Sequence, residues 1–188
     1  GFGYQSHFIP SRDRLTIGVT GNRGVEERLY LESLPGVLQV IQITKAYKLA
    51  SRETHQEDSV VQVDNVQFGD GNVVMIAGPC AVESMEQTLR IADAVASRGA
   101  QMLRGGAYKP RTSPYSFQGL GEKGLEILTK AREKTGLPFV TEVQDTETIS
   151  VVAHYADMLQ VGMRNMQNFT LLKAIGKAGK PVLMKRGM

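Results

Sequence analysis

The sequence predicts an α/β protein built on a parallel sheet, and two observations carry that prediction. Five short apolar runs, typical of buried strands, alternate with segments whose apolar residues recur at helical spacing. Glycine follows three of these segments, at Gly99, Gly136 and Gly179, where a left-handed C-cap favours it. Continuous apolar strands separated by helices indicate a parallel sheet that is covered on both sides.

The predicted strands and helices alternate through the later part of the chain. The five strands cover residues 73–77, 102–104, 138–143, 158–161 and 181–184. The four helices between them cover residues 84–98, 125–131, 149–153 and 171–175. A chemically capable side chain lies near the carboxyl end of nearly every strand: Cys80, Arg104, Glu142, Arg164 and Lys185.

Two parallel architectures fit this alternation, the doubly wound open sheet and the (β/α)8 barrel. A doubly wound sheet concentrates its site at one switch point, usually beside a glycine-rich turn after the first strand, and residues 78–80 are not such a turn. A barrel collects its site from the ends of many strands, so a barrel is favoured. A complete barrel takes roughly 250 residues. The 188 residues are therefore expected to hold about the first half of a barrel and to be an incomplete piece of a longer protein.

The region before the barrel has the pattern of a partial α+β domain. Its predicted elements are strands over 15–20 and 37–43 and a helix over 26–34. The three assigned regions are the α+β domain at 1–50, a polar linker at 51–59 and the half barrel at 60–188. A hairpin that joins 60–63 to 66–68 across Asp64 and Asn65 is predicted just before the first barrel strand.

Composition favours a protein of a reducing compartment. The chain has one cysteine, which excludes an internal disulfide, so a cytoplasmic location is expected. No apolar run approaches the ~20 residues of a membrane span, and no membrane partner is expected. The net charge of +3 is too modest to indicate a nucleic-acid partner.

The segment after the second barrel strand is typical of a phosphate-binding loop. Lys109 supplies a mobile charge and Arg111 a planar fork, while Thr112 and Ser113 add neutral donors. Pro110 fixes φ, so the donors are held in place before a ligand arrives. On composition alone an ordinary solvated basic loop is an equal alternative, and the position after a barrel strand favours the binding loop.

A barrel would bring many cations to one face of the molecule. The six are Arg104, Lys109, Arg111, Arg164, Lys185 and Arg186. They would repel one another unless anions bind there, so phosphorylated or carboxylated substrates are predicted. The alternative, a scatter of surface charges, requires these side chains to point away from the barrel mouth.

These motifs closely resemble those of the 3-deoxy-D-arabino-heptulosonate 7-phosphate (DAHP) synthases. The resemblance is to the type Iβ enzymes, whose barrel carries an N-terminal ferredoxin-like (ACT-like) regulatory domain. It spans nearly the whole chain and is carried by residues 77–83, 103–119, 141–142, 162–169 and 183–187. The 3-deoxy-octulosonate 8-phosphate synthases are similar around residues 78–80 but usually have Asn where this chain has Pro110. The resemblance therefore favours erythrose 4-phosphate over arabinose 5-phosphate as the aldehyde.

The resemblance implies a metal-dependent condensation of phosphoenolpyruvate with erythrose 4-phosphate. This transferase reaction releases phosphate and begins the route to the aromatic amino acids. Cys80 is implied as a ligand of a divalent metal such as Mn, Fe, Co or Zn, although a lone cysteine is more usually a small buried hydrophobe. The residues implied for phosphoenolpyruvate are Arg104, Lys109, Arg164 and Lys185. Those implied for erythrose 4-phosphate are Lys109, Pro110, Arg111, Thr112 and Ser113.

Two residues are assigned to catalysis on the same resemblance. Lys109 would lie between the two substrates as a donor or general acid. Glu142 would lie close to the same site, and an ion pair on the helix side is its equal alternative. The other metal ligands of the family, a His, a Glu and an Asp, belong to later strands, so the 188 residues alone are expected to be inactive. His55 and His154 are interpreted as solvated side chains.

The resemblance also implies regulation and assembly. The expected effector is an aromatic amino acid, tyrosine or phenylalanine, with His7 as a candidate contact and a frayed, exposed histidine as the alternative. A homotetramer or homodimer is expected. Three other functions stay open: a 3-deoxy-octulosonate 8-phosphate synthase, a Schiff-base aldolase with Lys185 as nucleophile, and a non-catalytic regulatory or binding fragment.

Overall fold

The computed structural model describes residues 4–9, 15–21, 25–42, 47, 50–52 and 57–187. The chain divides into two compact units, Gly1–Asp58 and Ser59–Met188. Within the described residues, every helix is too short or too polar to cross a lipid bilayer.

The first unit contains a two-stranded sheet and one helix in its described part. Strands β1 (Gln5–Ile9) and β2 (Thr16–Thr20) pair antiparallel, and helix α1 covers Val25–Glu32. The strand predicted over 37–43 is wrong for its described part, because residues 37–42 form no strand. An alternating apolar pattern makes a strand only where another strand satisfies its backbone groups, and no described segment pairs with this one. The ferredoxin-like assignment of residues 1–50 stays a prediction.

The second unit begins with the predicted hairpin, which is confirmed. Strands β3 (Val61–Val63) and β4 (Val66–Phe68) are antiparallel, and Val63 pairs with Val66. Asp64 has a φ of 50°, in the left-handed region that a tight hairpin turn requires and that Asp tolerates. Val63 and Val66 are buried, so one face of the hairpin belongs to the core.

Five parallel strands follow in consecutive order, as predicted. They are β5 (Ile76–Ala77), β6 (Met102–Arg104), β7 (Phe139–Val143), β8 (Met158–Val161) and β9 (Val182–Met184). The helices between them are α2 (Met85–Ala96), α3 (Glu122–Thr135), α4 (Ile149–Tyr155) and α5 (Phe169–Ile175). A doubly wound sheet reverses its strand order at a switch point, and the order β5-β6-β7-β8-β9 contains no reversal.

Local sequence signals account for several helix boundaries. The Ser84 hydroxyl accepts a hydrogen bond from the Gln87 N–H at 3.1 Å and caps α2. Gly136 ends α3 with a φ of 73°, the left-handed conformation predicted for it. The first barrel strand is shorter than the predicted 73–77, and the Val73 side chain is 86% exposed. Val74 packs against the inner core, but Val73 and Met75 are exposed, and the strand begins only after them.

The two faces of the parallel sheet are covered differently. Outward side chains such as Leu103, Phe139 and Leu159 pack in one core with buried residues from all four helices α2–α5. Inward side chains form a second core with the hairpin, and its members in the described part of the chain include none from a helix. Both faces of the sheet are therefore covered, as predicted, one by the helices and the other by the hairpin. Helices on one face and consecutive parallel strands are the arrangement of half a (β/α)8 barrel.

Candidate active site

The inner face of the sheet changes from apolar to polar along strands β6, β7 and β8. Since side chains two residues apart share a face, the residues that follow the apolar layer also point inward. The apolar layer contains Met102, Val140 and Met158, which pack together. Two positions further on, the inner face carries Arg104, Glu142 and Gln160. The polar layer lies at the carboxyl end of the sheet, where barrel enzymes hold their active sites.

Cys80 and Lys109 meet at this end although they are 29 residues apart. The Lys109 ammonium donates to the Cys80 carbonyl oxygen at 2.8 Å and lies 3.4 Å from its Sγ. A Cβ on Gly106 would lie 2.7 Å from that carbonyl and 2.8 Å from Lys109 Cδ. Because position 106 has no side chain, the Lys109 side chain has room to reach Cys80.

Cationic neighbours favour the thiolate form of Cys80. The hydrogen bond from Lys109 and the charge of Lys109 are the largest causes that lower the pKa of the thiol. Burial opposes the shift, and the charge and hydrogen bonding of Arg104 add smaller lowering effects. The Cys80 side chain is exposed rather than buried. Cys80 is thus not the buried hydrophobe that a lone cysteine usually is, because its thiol has cationic partners and access to solvent.

The loop after β6 is organised by its own backbone and side chains. The Arg111 Nε donates to the Phe117 carbonyl oxygen at 3.1 Å, so part of the guanidinium is used inside the loop. The Gln118 amide donates to the carbonyl oxygens of Ser113 and Ser116 at 3.2 and 2.9 Å. The Lys109 N–H donates to Gln118 O at 2.9 Å and closes the base of the loop. The exposed Thr112 and the half-buried Ser113 lie at its tip.

Arg164 links this loop to the end of β8, two strands away in the sheet. It lies in a 3₁₀ turn, Met163–Asn165, directly after β8. Its Nη1 donates to the Pro110 carbonyl oxygen at 2.9 Å, across 54 residues of sequence. The side chain is otherwise exposed, so the loop predicted for one substrate and an arginine predicted for the other are in direct contact.

Glu142 makes a different contact from the helix-side ion pair considered for it. Its Oε2 accepts a hydrogen bond from the Gln160 Nε2 at 2.9 Å, between paired positions of β7 and β8. Gln160 is only 4% exposed. Sequence reasoning missed Gln160 because it lies inside an apolar strand, Met158–Val161. The amide in an otherwise apolar run was the signal, since a buried polar group needs a partner.

The remaining predicted residues are less constrained. Lys185 follows β9, and its backbone N–H donates to Val161 O at 3.0 Å, which holds it beside the end of β8. The side chains of Lys185 and Arg186 are exposed. His7 lies on β1 in the first unit, exposed, with Nε2 3.2 Å from the Thr20 hydroxyl. His154 is exposed on α4, as interpreted, and His55 lies outside the described residues.

Cys80 is a chemically suitable ligand for a divalent metal, but it does not make a site by itself. No group of three or more His, Cys, Asp or Glu residues with metal-binding geometry occurs in the described segments. Ordinary metal sites take several ligands. The described residues therefore supply one thiolate and do not complete a metal centre.

The fold and the site together define a class, that of α/β-barrel proteins whose polar groups collect at the carboxyl ends of the strands. The model of the DAHP synthetase I family matches residues 33–188, and the chain belongs to that family. The resemblance inferred from the motifs is thereby confirmed.

Individual relatives agree with the family assignment. A Thermotoga maritima protein named phospho-2-dehydro-3-deoxyheptonate aldolase is 47% identical over 186 residues, covering 99% of this chain and 55% of the relative. The crystal structure of a protein with that name, also called DAHP synthase, from the same organism superposes with a TM-score of 0.74 at 46% identity, covering 99% of this chain and 54% of that one. A 2-dehydro-3-deoxyphosphooctonate aldolase of Magnetococcus marinus is 35% identical over 135 residues, covering 68% of this chain and 47% of the relative. The chain thus spans about half the length of the curated relatives it matches.

Proposed function

We propose that this chain forms part of a DAHP synthase, which condenses phosphoenolpyruvate with erythrose 4-phosphate and releases phosphate at the start of the shikimate pathway. The observation that carries the proposal is the Lys109 ammonium on Cys80, with Arg104 close enough to lower the pKa of the thiol. This cluster lies beside the loop anchored by Arg164. Cations gathered at one sheet end favour substrates that carry phosphate and carboxylate groups.

The proposed roles follow the positions of the side chains. Arg104, Arg164 and Lys185, at the ends of three strands, would hold phosphoenolpyruvate. Lys109 would lie between the substrates, as donor or general acid, and Glu142 would act at the same site. The residues for erythrose 4-phosphate would be Pro110, Arg111, Thr112 and Ser113, together with Lys109.

A divalent metal such as Mn, Fe, Co or Zn would be held by Cys80 together with ligands from outside the described residues. When bound, it would polarise the aldehyde carbonyl or activate water. The cationic side chains around Cys80 keep a larger share of the thiol ionised, which is the form that binds metals. Metal dependence is tested by chelation followed by return of single metals to the full-length protein.

The reaction is tested by incubating the full-length protein with phosphoenolpyruvate and each of two aldehydes. We expect phosphate release with erythrose 4-phosphate to exceed that with arabinose 5-phosphate. Pro110→Asn introduces the residue usual in the octulosonate enzymes and should narrow the difference. A preference for arabinose 5-phosphate would instead favour the activity named for the Magnetococcus marinus relative.

Two further functions are separated by simple experiments. If the protein is a Schiff-base aldolase, borohydride would trap a carbonyl substrate on Lys185, and the activity would survive chelation. Under our proposal trapping fails and chelation abolishes activity. A regulatory or binding protein without catalysis would bind phosphoenolpyruvate in calorimetry and consume none.

Regulation is proposed for the first unit, with tyrosine or phenylalanine as effector and His7 as a contact. His7 lies on a strand and its side chain is exposed. Deleting the residues before about Val60 from the full-length protein should leave catalysis and remove inhibition, because an effector acts only where it binds one state better than another. Inhibition that survives the deletion would assign the effector site to the barrel. A homotetramer or homodimer in the cytoplasm is the assembly proposed with it.

A further inference from the structure

We propose that Gln160 is a positioning residue for the Glu142 carboxylate, and that Gly162 provides the space this carboxylate occupies. The inference deepens the proposed function, since it takes Glu142 as part of the reaction site. Its basis is that Gln160 donates to one oxygen of this carboxyl group and that a side chain at position 162 would collide with the other.

The Gln160 amide holds one oxygen of Glu142. Glu142 and Gln160 are paired partners on the adjacent parallel strands β7 and β8, and both follow the inward apolar layer. The Nε2-to-Oε2 distance is 2.9 Å. A hydrogen bond to an ionised carboxylate is shorter and stronger than a neutral one, so this donor restrains the rotation of the carboxyl group.

Burial gives Gln160 a reason to keep this partner. The side chain is 4% exposed, on a strand whose other three residues are buried and apolar. A buried amide without partners costs free energy that an apolar side chain of the same length would not. A glutamine at this position is therefore suited to hold Glu142. If position 160 only had to pack in the core, an apolar residue would be more stable there.

Gly162 faces the other oxygen of Glu142. A Cβ at this position would lie 2.1 Å from Oε1 and 2.9 Å from the carboxyl carbon. The backbone of Gly162 has φ −69° and ψ 157°, an ordinary extended conformation that any residue adopts. A side chain at this position would displace the carboxylate from where it lies, whereas the chain's own conformation would accept one.

Both oxygens are thus located before any substrate arrives. Gln160 restrains Oε2, and the open space at Gly162 admits Oε1. A group held in its working orientation by surrounding residues loses less freedom when the reaction begins. Loss of either support should therefore lower turnover more than substrate affinity.

The first test measures the contact itself, through thermal unfolding of single and double variants. Gly162→Ala should lower the melting temperature by roughly 5 °C, as expected for overpacking. In a Glu142→Ala background the added methyl group meets no carboxylate, and the further loss should fall to about 1 °C or less. Equal losses in the two backgrounds would overturn the assignment of Gly162.

The second test measures turnover in the full-length protein. Gln160→Met keeps the length of the side chain and removes the donor, so kcat should fall by about tenfold or more while KM for phosphoenolpyruvate stays within about twofold. The matched control is Gln101→Met, at the opposite end of the sheet, which also removes an amide, one whose Oε1 accepts from the Met75 N–H at 2.7 Å. It should leave kcat and KM unchanged.

The outcomes separate this inference from the proposed function. If the full-length protein shows no condensation, the proposed function fails, and the melting-temperature comparison still decides the contact between Gly162 and Glu142. If condensation occurs and Gln160→Met leaves kcat unchanged, or raises only KM, Gln160 does not position Glu142. A lower kcat together with a background-dependent cost of Gly162→Ala supports both residues in the roles given.

Discussion

At its amino end the inner face of the parallel sheet is apolar and covered by the hairpin, whereas two residues further along the same strands it carries charge. Met102, Val140 and Met158 pack against Val63 and Val66 of β3 and β4. The next inward layer holds Arg104, Glu142 and Gln160, close to the loops of Cys80 and Lys109. The comparison teaches that one set of strands provides stability at one end and reactive groups at the other, with the period of two setting the spacing.

The largest effect is expected at the polar end. In the full-length protein, Cys80→Ser should lower activity by about a thousandfold or more and remove bound metal, because a hydroxyl is a far poorer soft ligand than a thiolate and metal catalysis contributes several kcal/mol. Metal content and rate should be measured on the same samples, with the melting temperature as the control for folding. Full activity at unchanged metal occupancy would contradict the ligand role of Cys80 and weaken the division between the two ends.

At the apolar end the expected effect is on stability. Met102→Ala should lower the free energy of unfolding by about 2–5 kcal/mol, because Met102 is fully buried and its truncation leaves a cavity. Met75→Ala is the matched control, since that side chain is 56% exposed, and it should change stability by less than about 0.5 kcal/mol. Denaturant unfolding measures both. A large loss of turnover without destabilisation in Met102→Ala would show that the two ends are not separate.

Within the polar end, substitutions of Lys109 and Arg111 should change different kinetic parameters. Lys109→Ala should lower kcat by about 10–100-fold, because the proposed function puts its ammonium, which bonds to Cys80, between the two substrates, and charge-assisted hydrogen bonds carry that much. Arg111→Ala should raise KM for erythrose 4-phosphate by about tenfold with a smaller change in kcat. Steady-state kinetics against both substrates measure the difference. If Arg111→Ala alters only the phosphoenolpyruvate parameters, the loop is assigned to the wrong substrate.

The smallest effect concerns the pKa of Cys80. Lys109→Met removes the hydrogen bond and the charge that lower this pKa, so the pKa should rise and less thiolate should be present near neutral pH. Alkylation by iodoacetamide should therefore slow, because the thiolate is the form that reacts. The single cysteine of the chain makes the labelling unambiguous. The control is Arg111→Met. The Arg111 side chain bonds within its own loop, so Cys80 in this variant should be alkylated at the unchanged rate.

Most of the element pattern was predictable from the sequence, because buried strands and amphipathic helices have distinct periods. The four helices and five parallel strands occur where the apolar runs predict them, and Gly136 ends its helix in the left-handed conformation. The failures lie where pattern and environment disagree. Residues 37–42 have the alternating pattern of a strand. They lack a partner strand in the described chain, so this segment is not a strand.

The candidate site was predictable in its residue types and not in its contacts. The cations at the strand ends could be predicted because each follows an apolar run in the sequence. The family match agrees with the resemblance inferred from the motifs. The contact of Arg164 with Pro110 and that of Gln160 with Glu142 join residues 54 and 18 positions apart. Gln160 could have been singled out as an amide in an apolar strand, but its partner could not.

By itself, the sequence determined the order of strands and helices, the side chains near each strand end and the family. These properties are local, since each depends on the spacing of residues along one segment or on a motif read in order. Only the tertiary structure decided which face of the sheet the helices cover, that Lys109 reaches Cys80, and that Gly162 faces the Glu142 carboxylate. These depend on the register between neighbouring strands and on loop paths, where a shift of one residue turns every side chain to the opposite face.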